Sequence, residues 1–201
     1  MKNDRLKICA AVTIAAALLY SMGGMAAVIA LALPVAVHEL SHVAALHALG
    51  LHVKCVSAEL KGLRIDYIGC TSAAGHIFAA AAGPAGGMLF ALLCSWLGNL
   101  TGQSLLSLTA GVSLLLSVFN LLPALPLDGG RILLHLCEAH IGEERGRSLC
   151  RLSGILMGAL VFCLGLWFAV KGLGSGVLAA GIYILLSQSE DTGLVKKDEL
   201  I

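Results

Sequence analysis

Six stretches of this chain are apolar for long enough to restrict its fold: residues 7–22, 25–49, 73–98, 104–123, 152–170 and 175–189 are separated by polar or glycine-rich breaks. A helix needs about 20 apolar residues to cross a hydrocarbon core. Lipid offers the backbone no hydrogen-bond partners, so such stretches must satisfy themselves as helices. Only 12% of the 201 residues are charged and 58% are hydrophobic, whereas a soluble domain carries about 25% charged residues. The expected fold is an all-α polytopic membrane protein with about six transmembrane helices. One membrane-embedded domain is expected over residues 1–201, with a core at about 25–140, helices five and six within about 152–189, and a short tail.

Between the second and third spans, residues 51–69 partly alternate apolar and polar side chains and include several β-branched ones, which predicts a small strand or hairpin. The start of the chain could be read as a secretory signal, since Lys2, Arg5 and Lys7 precede an apolar run. No polar mature segment follows it, and we take it as a spanning helix. Near the end, Lys197-Asp198-Glu199-Leu200 spells a retention signal, but Ile201 follows and that signal must be terminal.

Basic residues favour cytoplasmic loops. With six spans and both termini cytoplasmic, twelve of the thirteen Lys and Arg residues fall inside and only Lys171 falls outside. A net charge of +1 provides no global basic field, which argues against nucleic-acid binding. The seven cysteines form no CxxC pair and read as ordinary thiols, without a disulfide framework or a cysteine metal site.

Within the second span, His38-Glu39-Leu40-Ser41-His42 places three ionisable residues in an apolar helix. Each costs about 2.5–3.5 kcal/mol at the bilayer centre on insertion scales, so partners or a function must offset them. Residues i and i+4 share a helix face, so His38 and His42 can offer two imidazole nitrogens to one zinc ion. Glu39 is then placed to deprotonate a water whose pKa zinc lowers to about 7. The same pattern occurs by chance in soluble helices, where it carries far less meaning.

Catalytic zinc usually takes three protein ligands and leaves one position open. Downstream, the sequence from Asn120 to Arg131 reads NLLPALPLDGGR. Pro123 and Pro126 cannot continue a regular helix, and Gly129 and Gly130 permit backbone angles closed to other residues. A broken, re-entrant segment is expected after the fourth span, with Asp128 on the break as the best third ligand. The alternative for Asp128 is a helix-capping aspartate. In the inferred topology the HExxH segment and Asp128 both lie near the inner ends of inward-running spans, and hence at one depth.

These residues resemble the site-2 protease family of intramembrane zinc metalloproteases. His38 to His42 looks like its HExxH, and Asn120 to Gly130 matches NxxPxxPLDGG position for position. Ala82-Gly83-Pro84-Ala85-Gly86-Gly87 is similar to its Gly-Pro motif, with Gly87 where asparagine is often found. In size and arrangement the chain is most similar to the branch of stage IV sporulation protein FB. That branch's nucleotide-sensing CBS domain has no counterpart in the roughly dozen residues after the sixth span, and no PDZ insertion is present.

The resemblance implies a zinc metalloendopeptidase with Glu39 as the catalytic residue and one Zn²⁺ per chain held by His38, His42 and Asp128. It also implies a substrate cleft shaped by Asn120, Pro123 and Pro126. The implied substrate is a membrane-associated or transmembrane protein, a sigma-factor precursor in the sporulation branch, with a membrane inhibitor or regulator as a further partner. The implied setting is a bacterial cell membrane, with the site toward the cytoplasm. The alternative function is a zinc-binding carrier or sensor without proteolysis. Carriage would favour ionisable residues along a whole pathway, whereas here they gather at one depth.

Among the other histidines, His47 lies about 180° around the helix from His38 and reads as interfacial. His76 reads as a packing histidine, and His52, His135 and His140 as solvated. Glu143, Glu144, Arg145 and Arg147 read as a charged loop.

Overall fold

The computed structural model describes residues 2–59, 62–69 and 71–190, with the side chains of 2–19, 22, 52–59, 62–68, 189 and 190 left aside. The expected short tail beyond these lies outside the described residues, as do the retention-like residues within it.

In chain order the elements are α1 (Lys2–Ala48), β1 (His52–Glu59), β2 (Gly62–Ile68), α2 (Ala73–Thr101), α3 (Ser104–Asn120), α4 (Asp128–Ile141), α5 (Glu143–Val170) and α6 (Gly176–Glu190). The helices do not map one to one onto the six expected spans. The first two spans lie in α1, which is interrupted at Gly24, whose φ of 64° and ψ of −160° are non-helical. Three helices are long and apolar enough to cross a membrane: Gly23–Ala48, Ala73–Thr101 and Glu143–Val170. Helix α3 and the stretch Gly176–Gln188 are apolar but shorter.

Glu143 to Arg151 is not a loop. It forms the first turns of α5, separated from α4 by the single residue Gly142 at φ 88°. Acidic residues in a first turn complement the helix dipole. Glu143 and Arg147 pair across one turn at 2.5 Å, and Arg147 also approaches Glu138 of α4 at 3.6 Å.

Side-chain sizes are distributed inside out. Leu89, Leu92, Leu115, Leu156 and Leu160 are exposed, Leu115 by 72%. The buried positions of α3 are Thr109, Ala110, Ser113 and Ser117, and those of α5 are mostly Gly and Cys. Lipid tails are as apolar as leucine, so helices there gain little by burying leucine and associate instead by close backbone packing and hydrogen bonds. This pattern and the three long apolar helices mark the chain as an integral membrane protein.

The chain divides into two compact units, residues 1–70 with 82–118, and residues 71–81 with 119–201. In the first, β1 and β2 pair antiparallel from His52↔Ile68 to Glu59↔Gly62, with an irregularity between Val53 and Cys55. Gly83 and Gly86 turn their bare faces to α1, where a Cβ would collide with His42 and Ser41 respectively. Gly87 does the same toward Ser117 of α3, and its carbonyl accepts a 2.8 Å hydrogen bond from Ser113 Oγ.

In the second unit, α5 and α6 meet through glycine. A Cβ on Gly165 would strike the backbone of Leu178, and one on Gly181 the backbone of Phe162. Ala124, Leu127, Val161 and Ile184 form the core, flanked by Phe119, Leu122, Met157, Ala180 and Tyr183. Cys94, Cys137 and Cys150 are buried thiols, whereas Cys163 is exposed on α5.

Candidate metal centre

His38 and His42 stand one turn apart on α1, only 4% and 8% exposed. Their Nε2 atoms face each other at 3.2 Å, with ring centroids 4.9 Å apart and planes at 81°. Two neutral nitrogens with lone pairs converging at that distance repel, so either one carries its proton there or a cation lies between them. Gly83 makes room for this pair, since a Cβ there would sit within 3.0 Å of both Nε2 atoms. The bare spot on α2 therefore opens onto the imidazole edges, with both Nε2 atoms and His42 Cε1 around it. Glu39, the next residue after His38, is half-buried. Ser41 Oγ donates to Val37 O at 2.7 Å and stays within its own helix.

Asp128 is 5% exposed. Helix α3 ends at Asn120, the turn over 121–127 is non-helical, and α4 begins at Asp128 itself. The residue in the capping position is Leu127, extended at φ −68° and ψ 158°, with no side-chain cap hydrogen bond. Asp128 is thus inside the first helical turn and is not a helix cap. Arg131 approaches its carboxylate at 3.8 Å, one turn on.

Gly129 and Gly130 differ from expectation in one respect. Both lie in helix and neither has a positive φ. Glycine is required there because a Cβ would run into the backbone of Leu121 and Leu122 or of Ala124 and Leu125. The turn folds back on the start of α4, and only hydrogen leaves enough space.

Of the residues proposed to line a substrate cleft, Asn120 closes α3 and is half-buried, as are Pro123 and Pro126. Their carbonyl neighbourhood is held from α5 and α6: Ser153 Oγ donates to Pro123 O at 2.7 Å, and Gln188 Nε2 donates to Leu125 O at 2.5 Å. Neither Ser153 nor Gln188 stood out in the sequence, although a polar residue in an apolar helix is itself a signal.

His135 is not solvated. It is half-buried on α4, stacked on His76 with ring centroids 4.6 Å apart, and its Nδ1 lies 3.6 Å from Glu138. Burial, then the neighbouring His76 and Arg131, lower its pKa to about 4. His76 is a packing histidine, as expected, and His47 and His140 are exposed.

His38 and His42 offer two buried imidazole donors in the first unit, and Asp128 offers a buried carboxylate in the second. Two imidazoles and one carboxylate are the donors of a catalytic zinc, which keeps its fourth position open. The donor chemistry and the side-chain-free notch at Gly83 fit a zinc cofactor.

The fold is that of a site-2 protease. The solved site-2 protease from Methanocaldococcus jannaschii superposes with a TM-score of 0.68 over 94% of this chain and 89% of that one, at 20% identity. Residues 98–164 match the model of peptidase family M50. A Synechocystis protein provisionally named a zinc metalloprotease is 30% identical over 150 residues, covering 72% of this chain and 38% of that protein. Rip3 of Mycobacterium tuberculosis, also provisionally named a zinc metalloprotease, is 29% identical over 203 residues, covering 92% of this chain and 50% of that protein. The chain thus spans half or less of the length of these relatives. These likenesses show the fold of a site-2 protease over most of the chain and a peptidase family M50 match over residues 98–164.

Proposed function

We propose that this chain is an intramembrane zinc metalloprotease of the site-2 type, cutting a peptide bond in or near the membrane segment of a substrate protein. The observation that carries the reading is the buried, converging pair of His38 and His42 with Glu39 beside the first of them, and the buried carboxylate of Asp128 would complete the donor set. A membrane helix bears the cost of three ionisable residues where they have partners or chemistry to perform.

His38 and His42 would hold zinc through Nε2, and Asp128 through a carboxylate oxygen. When bound, zinc supplies Lewis acidity and makes hydroxide available near neutral pH. Glu39 acts as general base and then general acid, taking a proton from the attacking water and returning it to the leaving amide nitrogen. Asn120 offers an amide to the substrate backbone, and the turn through Pro123 and Pro126 shapes the groove beside it. The substrate must unwind before cleavage, because helical carbonyls are occupied by their own hydrogen bonds.

The basic-residue bias supports six spans with both termini and the active site toward the cytoplasm. The substrate class is a membrane-associated or transmembrane protein. A sigma-factor precursor is the candidate carried by the resemblance to the sporulation branch, and a bacterial cell membrane is the setting.

The test is co-expression of the wild type and Glu39→Gln with single-span or membrane-associated precursors, together with zinc analysis of the purified proteins. Cleavage by the wild type alone, with near-stoichiometric zinc in both, is the expected result. Zinc flux in proteoliposomes that survives loss of Glu39 would favour a carrier instead.

A further inference from the structure

Three hydrogen bonds tie the turn that precedes Asp128, and the first turn of α4, to helices lying later in the chain. Ser153 Oγ of α5 donates to Pro123 O at 2.7 Å, Gln188 Nε2 of α6 donates to Leu125 O at 2.5 Å, and Cys150 Sγ of α5 lies 3.4 Å from Gly130 O. The bonded carbonyls belong to Pro123, Leu125 and Gly130, on either side of Asp128. Pro123 and Pro126 have no N–H, and the backbone bonds within the turn, from Ala124 N to Leu122 O and from Leu127 N to Ala124 O, leave the Pro123 and Leu125 carbonyls to these side chains.

Gln188 is a costly way to make such a tie. It is 2% exposed, and its Oε1 has no hydrogen-bond partner among the described residues. Its Nε2 faces two carbonyls, of Leu125 and of Ile184 at 3.3 Å, so flipping the amide would set oxygen against oxygen. Gly154 of α5 stands directly against this amide, where a Cβ would come within 2.5 Å of Cδ and Oε1. A buried acceptor left unpaired lowers stability, so the amide loses at Oε1 part of what its bond to Leu125 O gains. A half-satisfied glutamine aimed at one carbonyl of the turn is better explained by what it holds than by what it stabilises.

We infer that Ser153 and Gln188 are positioning residues, which fix the Pro123–Asp128 turn so that the Asp128 carboxylate is presented to the metal. This rests on the zinc-protease reading above. Neither residue contacts metal or substrate; both act through the backbone that carries a ligand. Residues that orient metal ligands typically change metal affinity by about 10–100-fold when lost.

The experiment uses the full chain in detergent as wild type, Ser153→Ala, Ser153→Thr, Gln188→Leu and Gln188→Glu. Three quantities are read: zinc release to a chelator, the unfolding temperature, and amide exchange over residues 121–130. Gln188→Leu should release zinc at least about tenfold faster, with faster exchange in the turn and a little-changed unfolding temperature, because it exchanges one unpaired acceptor, Gln188 Oε1, for another, Leu125 O. Gln188→Glu keeps the shape, and a buried carboxyl facing two carbonyls stays protonated and can donate to Leu125 O, so it should retain zinc better than Gln188→Leu. Ser153→Ala should also release zinc faster, and Ser153→Thr should restore retention. Wild-type zinc retention in both Gln188→Leu and Ser153→Ala would overturn the inference, as would losses that only follow a falling unfolding temperature. If the wild type itself binds no zinc, the zinc-protease reading fails. Turn exchange then decides the anchoring alone: unchanged exchange in Gln188→Leu refutes it, and faster exchange supports it.

Discussion

The Nε2 atoms of His38 and His42 converge to 3.2 Å beneath Gly83 of α2, which has no side chain to put between them. A small residue at this point is required by geometry. The rings occupy the volume a methyl group would fill, and the only atoms that can share it are a proton or a metal ion.

Gly83→Ala should therefore abolish zinc binding more thoroughly than it harms the fold. Overpacking a tight site typically costs about 1–3 kcal/mol, while the added methyl would push both imidazoles off their common target. Zinc content of the purified variant, compared with its unfolding temperature, is the measurement. Full zinc occupancy would contradict the placement of the pair.

Glu39→Gln should retain zinc and lose cleavage. General acid–base catalysis contributes about 10²–10⁴-fold, so residual activity at or below about 1% of wild type is expected. Activity near the wild-type level would remove Glu39 from its assigned role.

Stability should depend on pH through His135. Its pKa falls from 6.5 to about 4 because it is buried and faces His76 and Arg131, with Glu138 also nearby at 3.6 Å. Between those values the unfolded chain takes up a proton that the folded chain refuses, so stability rises with pH across this window and is lost on acidification. His135→Phe keeps a ring against His76 and should flatten that slope. Unfolding temperatures in detergent at several values from pH 4 to 7 would reveal it, and equal slopes in both proteins would refute it.

Gly181→Leu should separate α5 from α6, because a Cβ there meets the backbone of Phe162 rather than a side chain that can turn aside. The expected loss is about 1–3 kcal/mol, read as a lower unfolding temperature. An unchanged value would mean that the two helices can yield at this point.

The candidate metal-holding residues stand out in the sequence because their chemistry conflicts with their surroundings. His38, Glu39 and His42 are conspicuous in a span of Ala, Val and Leu, and Pro123, Pro126, Gly129 and Gly130 announce a break around Asp128. What the sequence hid was the reason for individual glycines. Gly129 and Gly130 look like residues chosen for unusual torsions, yet both are helical and are required by close backbone approach. Contacts of that kind depend on which segments meet, which local pattern does not contain. The charged stretch at Glu143 misled for a related reason. Its composition is that of a loop, whereas its i,i+4 pairing belongs to a helix that starts directly after the break at Gly142. His135 looked solvated because the partner that covers it, His76, lies far away in sequence.

The glycine seam between α5 and α6 also sets a length. Where backbone rests on backbone there are no rotamers to absorb a slip, so α6 can occupy only one register along its neighbour. Leu178, pinned against Gly165, stands ten residues before Gln188, about 15 Å along a helix. Inserting or deleting one residue between them would swing the amide by about 100° and out of reach of Leu125. Helix α6 thus acts as a measuring rod, and the fit at one end of it determines whether the glutamine at the other finds its carbonyl.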